Sequence, residues 1–156
     1  QRRAAGPRAP AVALYREFRF EDDTVGFEAT GTHEFEALRA SHRVVMGVEA
    51  DRSEVSERRD GLQTTLATGA TTRVILGEAF PLRDFPETVV TRAGLHVQDR
   101  IAIGDRAAWI PAVRVDHHRL RPDVDAIYAE DNPRTRPVSL RETSVSPRLG
   151  WTYALG

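Results

Sequence analysis

The chain has 156 residues, a formal net charge of −1 and no cysteine, and all 22 of its basic residues are arginine. This length favours a single domain that buries a core without covalent cross-links. The near-neutral charge argues against a general polyanion binder, so nucleic acid is not the expected partner. The missing cysteines exclude thiol chemistry, and the missing lysines exclude Schiff-base chemistry. No apolar run approaches the roughly 18 residues of a membrane span, so we expect no membrane contact and a cytoplasmic location.

Composition divides the chain into three predicted parts. Residues 1–11, rich in arginine and proline, are predicted to be a mobile tail, and residues 12–116 a β-rich core domain. Residues 117–156 are predicted to be an irregular extension, whose apolar end at 149–155 packs on the core or on a partner. The arginines of the tail leave RNA binding open as a weaker alternative.

Apolar stretches and their spacing predict the secondary structure in chain order. The predicted elements are strands at 12–20, 25–36 and 43–49, a helix from Asp51 or Ser53 to Leu66, strands at 72–80, 88–97 and 100–104, a short helix after Asp105, and a helix at 122–130. An aspartate at the start of a helix accepts hydrogen bonds from free backbone N–H groups, which favours Asp51 and Asp105 as caps.

Two stretches of the chain echo each other. Residues 43–52 run from arginine through an apolar segment to Gly47 and then Asp-Arg, and residues 100–108 repeat this order around Gly104. Each is typical of a buried strand that ends at a glycine and leads into a helix. The echo therefore predicts an α+β fold with a mostly antiparallel sheet or small β-barrel, built from two β-β-β-α halves.

The same stretches carry a resemblance to a known family. Residues 29–36 followed by 44–52, and residues 86–92 followed by 99–108, together resemble the mainly archaeal domain-of-unknown-function family 371 over about residues 14–113. The resemblance implies a small soluble β-rich domain without an agreed activity. The chain departs from the family where Gly31 replaces an expected histidine and where His42-Arg43-Val44 replaces an expected Gly-Asp-Cys segment.

The best local grouping of catalytic residue types is His33 with Glu34 and Glu36. On a strand Glu34 and Glu36 share a face, and two carboxylates could serve acid–base chemistry. His33 and Glu36 are therefore the candidate catalytic residues, with a solvated strand face as the alternative. The segment lacks the second histidine of a His-Glu-x-x-His site, so no metal and no cofactor is predicted.

Five further polar residues are candidates for ligand binding. Arg92 could hold a phosphate or carboxylate with its planar guanidinium. The candidates are Arg92, Asp99, Arg100, Asp51 and Asp105. Each also has a structural alternative, as an ion-pair partner of a neighbour or as a helix cap.

This pattern of residues is consistent with two functions. The first is a binding or assembly module in which the C-terminal arm recruits a second copy of the chain or another protein. The second is a small-molecule enzyme or anionic-ligand-binding domain, with a pocket between the two halves lined by Arg92, His33 and Glu36.

Overall fold

The computed structural model describes residues 10–155 of the chain. The mobile tail predicted at residues 1–11 therefore lies outside the described residues, apart from its last two. Within the described region the chain forms long antiparallel strands and one short helix. They are β1 (Val12–Ala37), β2 (Ala40–Thr65), β3 (Thr71–Thr72), β4 (Val74–Ile75), β5 (Glu78–Ala79), β6 (Glu87–Ile103), β7 (Ala107–Asp123), α1 (Ala126–Asp131) and β8 (Leu140–Tyr153).

The long strands form one sheet in the order β1-β2-β6-β7-β8, with β3 paired to β2, while β4 and β5 form a separate small hairpin. The β-rich character predicted from the sequence is confirmed, but the α+β class is wrong. Residues 51–66, predicted as a helix capped by Asp51, belong to β2 almost to its end. Ser53, Glu57 and Gly61 are buried at a spacing of four. That spacing shares a face in a helix and in a strand alike.

The predicted division into two β-β-β-α halves is also wrong, because the two glycines of the echo lie in different structural settings. Gly47 lies in the middle of β2, and a side chain there would collide with the ring of His96. Gly104 lies in the turn after β6 with φ of +61°, a conformation that glycine adopts without steric cost. The helix predicted after Asp105 is instead this turn and the start of β7.

Connections between the strands are short at one end and long at the other. Leu38 and Arg39, with φ of 53° and 64°, join β1 to β2, and residues 104–106 join β6 to β7. The opposite strand ends are joined by residues 66–86 and 124–139. The segment 117–156, predicted to be irregular, holds the end of β7, α1 and β8.

The described chain groups into two compact units. One contains residues up to Glu21, Val55–Glu87 and Asp123–Pro137, and the other contains Asp22–Glu54, Thr88–Pro122 and the residues from Val138 onward. The first unit has a small apolar cluster of Ile75, Phe80 and Leu82 within the connection 66–86. No helix within residues 10–155 is long and apolar enough to cross a membrane.

Arg83 organises the polar interior of the first unit. Its side chain is only 9% exposed, and its guanidinium donates to the Glu57 carbonyl at 3.1 Å and to Glu87 at 2.7 Å. It also forms an ion pair with Asp125 at 2.9 Å, while its backbone N–H donates to Asp131 at 2.8 Å. Removing the buried arginine would leave the carboxylates of Glu87 and Asp125, which are 46% and 32% exposed, without this partner.

α1 is attached to this network through its N-terminal cap. The Asp125 carboxylate accepts a hydrogen bond from the Tyr128 backbone N–H at 2.8 Å, in the first turn of the helix. The helix thus begins at Ala126, and Asp125 rather than the predicted Pro122 marks its start.

The start of β1 carries an exposed polar row in the same unit. The Tyr15 hydroxyl donates to Glu17 at 2.7 Å, and Arg19 donates to the same carboxylate at 3.0 Å. The hydrogen bond from Tyr15, followed by that from Arg19, holds the pKa of Glu17 below its ordinary value. The same bond, with the negative charge of Glu17, raises the pKa of Tyr15. Because the pKa of Glu17 is lowered, its stabilising contribution is present at neutral pH and is lost on strong acidification.

Replacement of Arg83 tests this network. Arg83→Ala should open the connection 66–86 locally at a cost of about 3 kcal/mol, because Glu57, Glu87 and Asp125 lose their common partner. Native-state hydrogen exchange of the amides in this connection should accelerate by about two orders of magnitude. Arg73→Ala is the control, since the Arg73 side chain is 57% exposed and its ion pair among residues 10–155 is with Asp60. Equal exchange in the two variants would contradict the role of Arg83.

Candidate functional site

The antiparallel register between β7 and β8 sorts their side chains onto two faces. Because successive residues of a strand alternate, every second pair shares a face. One face, here called the apolar ladder, consists of Trp109–Trp151, Pro111–Leu149, Val113–Pro147 and Val115–Val145, and it continues through His117–Thr143 to Arg119–Arg141. Its apolar side chains are open to the surroundings, with Trp109 55% exposed and Trp151 73% exposed. Such a continuous exposed apolar surface marks an interaction surface or a membrane contact.

The opposite face of the same strands is polar. This polar ladder consists of Ala108–Thr152, Ile110–Gly150, Ala112–Arg148, Arg114–Ser146, Asp116–Ser144 and His118–Glu142. A soluble antiparallel sheet would bury its apolar face against a core and leave its polar face in water. Here the apolar face is exposed as well as the polar one, which departs from that arrangement.

The apolar ladder has a defined length between two different ends. Arg119 follows Trp109 by ten residues, a distance of about 34 Å along a strand. Strands of membrane barrels tilt by about 40°, which projects this length to about 25 Å, the height of the apolar band of such barrels. The tryptophan pair and the arginine pair therefore lie one at each border of a band with membrane dimensions.

The apolar surface continues over the neighbouring strands. A shallow groove of about 670 Å³ is lined by apolar and small side chains of four strands. Its side chains include Ala29, Met46, Val48, Leu95, Val97, Val113 and Val115. The last two belong to the apolar ladder, so β1, β2 and β6 present their apolar residues on the same side. Near the turns Phe35 stacks on the His42 ring, with ring centroids 4.9 Å apart.

The polar surface likewise continues onto β2 and β6, as a series of ion pairs. Arg114 contacts Glu49 on β2 and lies 2.8 Å from Asp116 on its own strand. Arg92 on β6 directs its Nε to both oxygens of Asp51, at 3.1 Å and 2.9 Å. These side chains line a concave site of about 350 Å³ on the polar face. Its charges are mostly matched within the wall itself.

Two glycines make room for these side chains. The His96 ring lies against Gly47, and the side chains of Glu49 and Arg114 lie against Gly94. A Cβ at either position would collide with these groups. The glycines therefore allow large polar side chains to lie flat across the wall.

Arg92 and Asp51 are the two predicted site residues that the structure brings together. Asp99 instead forms a hydrogen bond with the His42 Nδ1 at 2.7 Å. Arg100 is exposed on β6, and Asp105 lies in the turn that follows. The five predicted ligand-binding residues are thus divided among an ion pair, a histidine contact, a strand and a turn.

The two predicted catalytic residues lie on opposite faces of β1. His33 stacks on Phe35 with ring centroids 5.5 Å apart, on the apolar side. Glu36 follows Phe35 directly and so points to the other side. The described residues contain no group of three or more side chains that could hold a metal ion.

The sequence interpretation missed the residues that define the two faces. None of Trp109, Trp151 and Tyr153 on the apolar face, or of Glu49, Arg114 and Asp116 on the polar face, is among the site residues predicted from the sequence. A signal for the apolar ladder exists in β8, where Val145, Pro147, Leu149, Trp151 and Tyr153 recur at every second position. The intervening Ser146, Arg148, Gly150 and Thr152 give the segment a composition that is typical of irregular structure.

An exposed apolar band of membrane height, an aromatic pair at one border and a polar opposite face define the wall of a membrane-spanning β-barrel. Residues 2–156 match the family model described as TonB dependent receptor-like, beta-barrel, and the chain belongs to that family. No curated protein was found to match the chain.

Membership of this family corrects several expectations. The resemblance to family 371 is wrong, because the match over residues 2–156 assigns a different family. TonB-dependent receptor barrels are proteins of the outer membrane, so the cytoplasmic location and the absence of membrane contact are wrong. The soluble binding or assembly module and its alternative, a small-molecule enzyme or anionic-ligand-binding domain, are overturned by the same match. The helical criterion of 18 apolar residues failed because a β-strand spans a bilayer with about 9–11 residues.

The contact between Gly47 and His96 gives a test of the polar wall. Gly47→Val should cost about 1–3 kcal/mol, because its side chain would occupy the space of the His96 ring. His96→Ala should restore most of this loss in the double variant, while causing a smaller loss alone. Urea unfolding of the four proteins in liposomes measures the coupling. Additive effects of the two substitutions would contradict the packing of the ring against the glycine.

Proposed function

We propose that the chain forms part of the wall of an outer-membrane receptor that moves its ligand across the membrane. The apolar ladder faces lipid, and the polar ladder faces the interior of the barrel. The observation that carries this proposal is the exposed row of apolar pairs from Trp109–Trp151 to Val115–Val145, which lies on the face opposite the charged residues of β7 and β8. Outer-membrane transporter barrels of about 22 strands have a lumen that is filled by a plug.

The lengths of the connections support an orientation in the membrane. Barrels of the bacterial outer membrane have short turns on the periplasmic side and longer loops outside the cell. Residues 38–39 and 104–106 would then lie on the periplasmic side, next to the tryptophan pair. Residues 66–86 and 124–139 would form extracellular loops, the first of them folded around Arg83.

The sheet needs further strands to form a complete wall. β1 and β8 are its edges among the described residues. An edge strand exposes unpaired backbone N–H and C=O groups, each of which costs several kcal/mol in the hydrocarbon region. We infer that both edges pair with additional strands of the same barrel.

The polar wall supplies candidate contacts for what passes through the lumen. The ligand-binding role of Arg92 and Asp51 stays a prediction, and in the proposed barrel both side chains would face the lumen. Their ion pair leaves Arg92 49% exposed, so its guanidinium can exchange Asp51 for an anionic partner. Glu49, Arg114 and Asp116 would contribute in the same way.

Cysteine labelling tests which face meets lipid, and the chain contains no cysteine that would interfere. Spin labels at Val113→Cys and Ala112→Cys occupy adjacent positions on opposite ladders. In liposomes, the label at 113 should be more accessible to oxygen, which dissolves in lipid, than to a water-soluble nickel complex. The label at 112 should show the reverse preference if the lumen is wet, or low accessibility to both if it is plugged. A lipid-exposed label at 112 would contradict the proposal.

Charge insertion tests the same assignment through stability. Val145→Lys places a charge near the middle of the apolar ladder and should cost about 2–4 kcal/mol. Ser144→Lys is the matched control on the polar ladder, where Asp116 lies directly opposite, and should be close to neutral. Folding free energies in liposomes provide the measurement. A greater loss from Ser144→Lys than from Val145→Lys would reverse the two faces.

A further inference from the structure

The end of the apolar ladder brings two like charges together. Arg119 on β7 and Arg141 on β8 are directly opposite in the antiparallel register. Like charges in this position destabilise a strand pair. Both side chains are exposed, and neither forms an ion pair with any residue in the range 10–155. An uncompensated pair of this kind indicates that an anion from outside the described residues completes it.

A third arginine extends the charge on the same face. Arg121 follows Arg119 by two residues, so it lies on the same side of β7, and it too has no ion-pair partner among the described residues. The nearest carboxylate further along this face of the strand is Asp123. The next pair of the apolar ladder toward the tryptophans is His117–Thr143, which is joined by a side-chain hydrogen bond of 2.8 Å.

The position of the pair identifies the source of the anion. It lies at the border of the apolar band opposite the tryptophan pair, toward the long connection 124–139. In the proposed orientation this border is the headgroup region of the outer leaflet. Arginine side chains at such a border extend their charged ends into the headgroups while their methylene stems cover apolar surface. The accessible anions there are the phosphates of membrane lipids.

We propose that Arg119 and Arg141 together bind the phosphate group of an outer-leaflet lipid, with Arg121 as a second contact. Guanidinium groups bind phosphate through paired hydrogen bonds, which a point charge cannot reproduce. One phosphate between two opposed guanidiniums also removes the repulsion across the strand pair. The inference rests on the proposed membrane placement of the apolar ladder.

Binding of a phosphorylated lipid to the full-length protein in neutral detergent tests this site. The probes are diphosphorylated lipid A, the same lipid without phosphates, and inorganic phosphate, each measured by native mass spectrometry and thermal unfolding. Arg119→Ala/Arg141→Ala should weaken binding of the phosphorylated lipid by about tenfold or more. Without lipid, this variant should be at least as stable as the unchanged protein, because the like charges are gone.

A matched variant and a conservative one make the test specific. Arg134→Ala/Arg136→Ala removes the same charge from the connection after α1, outside the ladder, and should leave binding nearly unchanged. Arg119→Lys/Arg141→Lys keeps the charge without the planar fork and should bind with intermediate affinity. The phosphate-free lipid should bind no more tightly to the unchanged protein than to the double alanine variant.

Three results would overturn the proposal. The first is equal affinity of the phosphorylated lipid for the unchanged protein and the Arg119→Ala/Arg141→Ala variant. The second is an equal loss in the Arg134→Ala/Arg136→Ala control. The third is stabilisation by inorganic phosphate at the same concentrations as the lipid, which would assign the site to a free anion. Failure of the membrane placement itself is recognised separately, from the labels at positions 112 and 113 in liposomes.

Discussion

The pairing of β7 with β8 is the constraint on which the separation of the apolar and polar faces depends. Its register places tryptophan opposite tryptophan, valine opposite valine and arginine opposite arginine on one face. Because side chains alternate along a strand, a slip of one residue would turn the apolar residues of one strand to the polar side. In a bilayer such a slip would carry charged side chains such as Arg114 or Asp116 into lipid, so the membrane itself enforces the register.

Charged side chains are paired on the polar face and unpaired at the end of the apolar ladder among the described residues. On the polar face, acids and arginines pair across and along strands, as in Glu49–Arg114–Asp116 and Asp51–Arg92. Exposed pairs of this kind add little stability in water and can be exchanged for a ligand at low cost. On the apolar face, Arg119 and Arg141 remain uncompensated within the described chain, which is why they point to a partner outside it.

The sequence predicts strands well where apolar residues run together, as at 43–49 and 100–104. The prediction fails where a strand is polar on one side. β2 continues through Glu57 and Asp60 to Thr65, and the buried residues of this segment recur at every fourth position, which also suits a helix. β1 and β2 each have 26 residues, far beyond the usual strand of about 5–6 residues in soluble proteins. A prediction made for a soluble domain therefore places turns within segments that are continuous strands in the structure.

The candidate site was harder to predict than the strands. The pair of Arg92 and Asp51 joins two strands across 41 residues of sequence, and only the sheet order brings them together. A proline disfavours the prediction of a strand, since it cannot donate a hydrogen bond to a ladder, yet Pro147 lies within β8. The alternation of Leu149, Trp151 and Tyr153 is the sequence pattern that predicts a strand here. It indicates a membrane strand only when the residues between them are recognised as the polar face of the same strand.

Fluorescence quenching of Trp109 and Trp151 tests whether the apolar ladder faces lipid. Each tryptophan is measured alone in liposomes, with every other tryptophan of the protein replaced by phenylalanine, using lipids brominated at different depths. Both should be quenched most strongly by bromine close to the headgroups and poorly by iodide in water, since the pair lies at the border of the apolar band. Strong quenching of either residue by iodide, together with insensitivity to brominated lipid at every depth, would contradict the assignment of this face to the membrane.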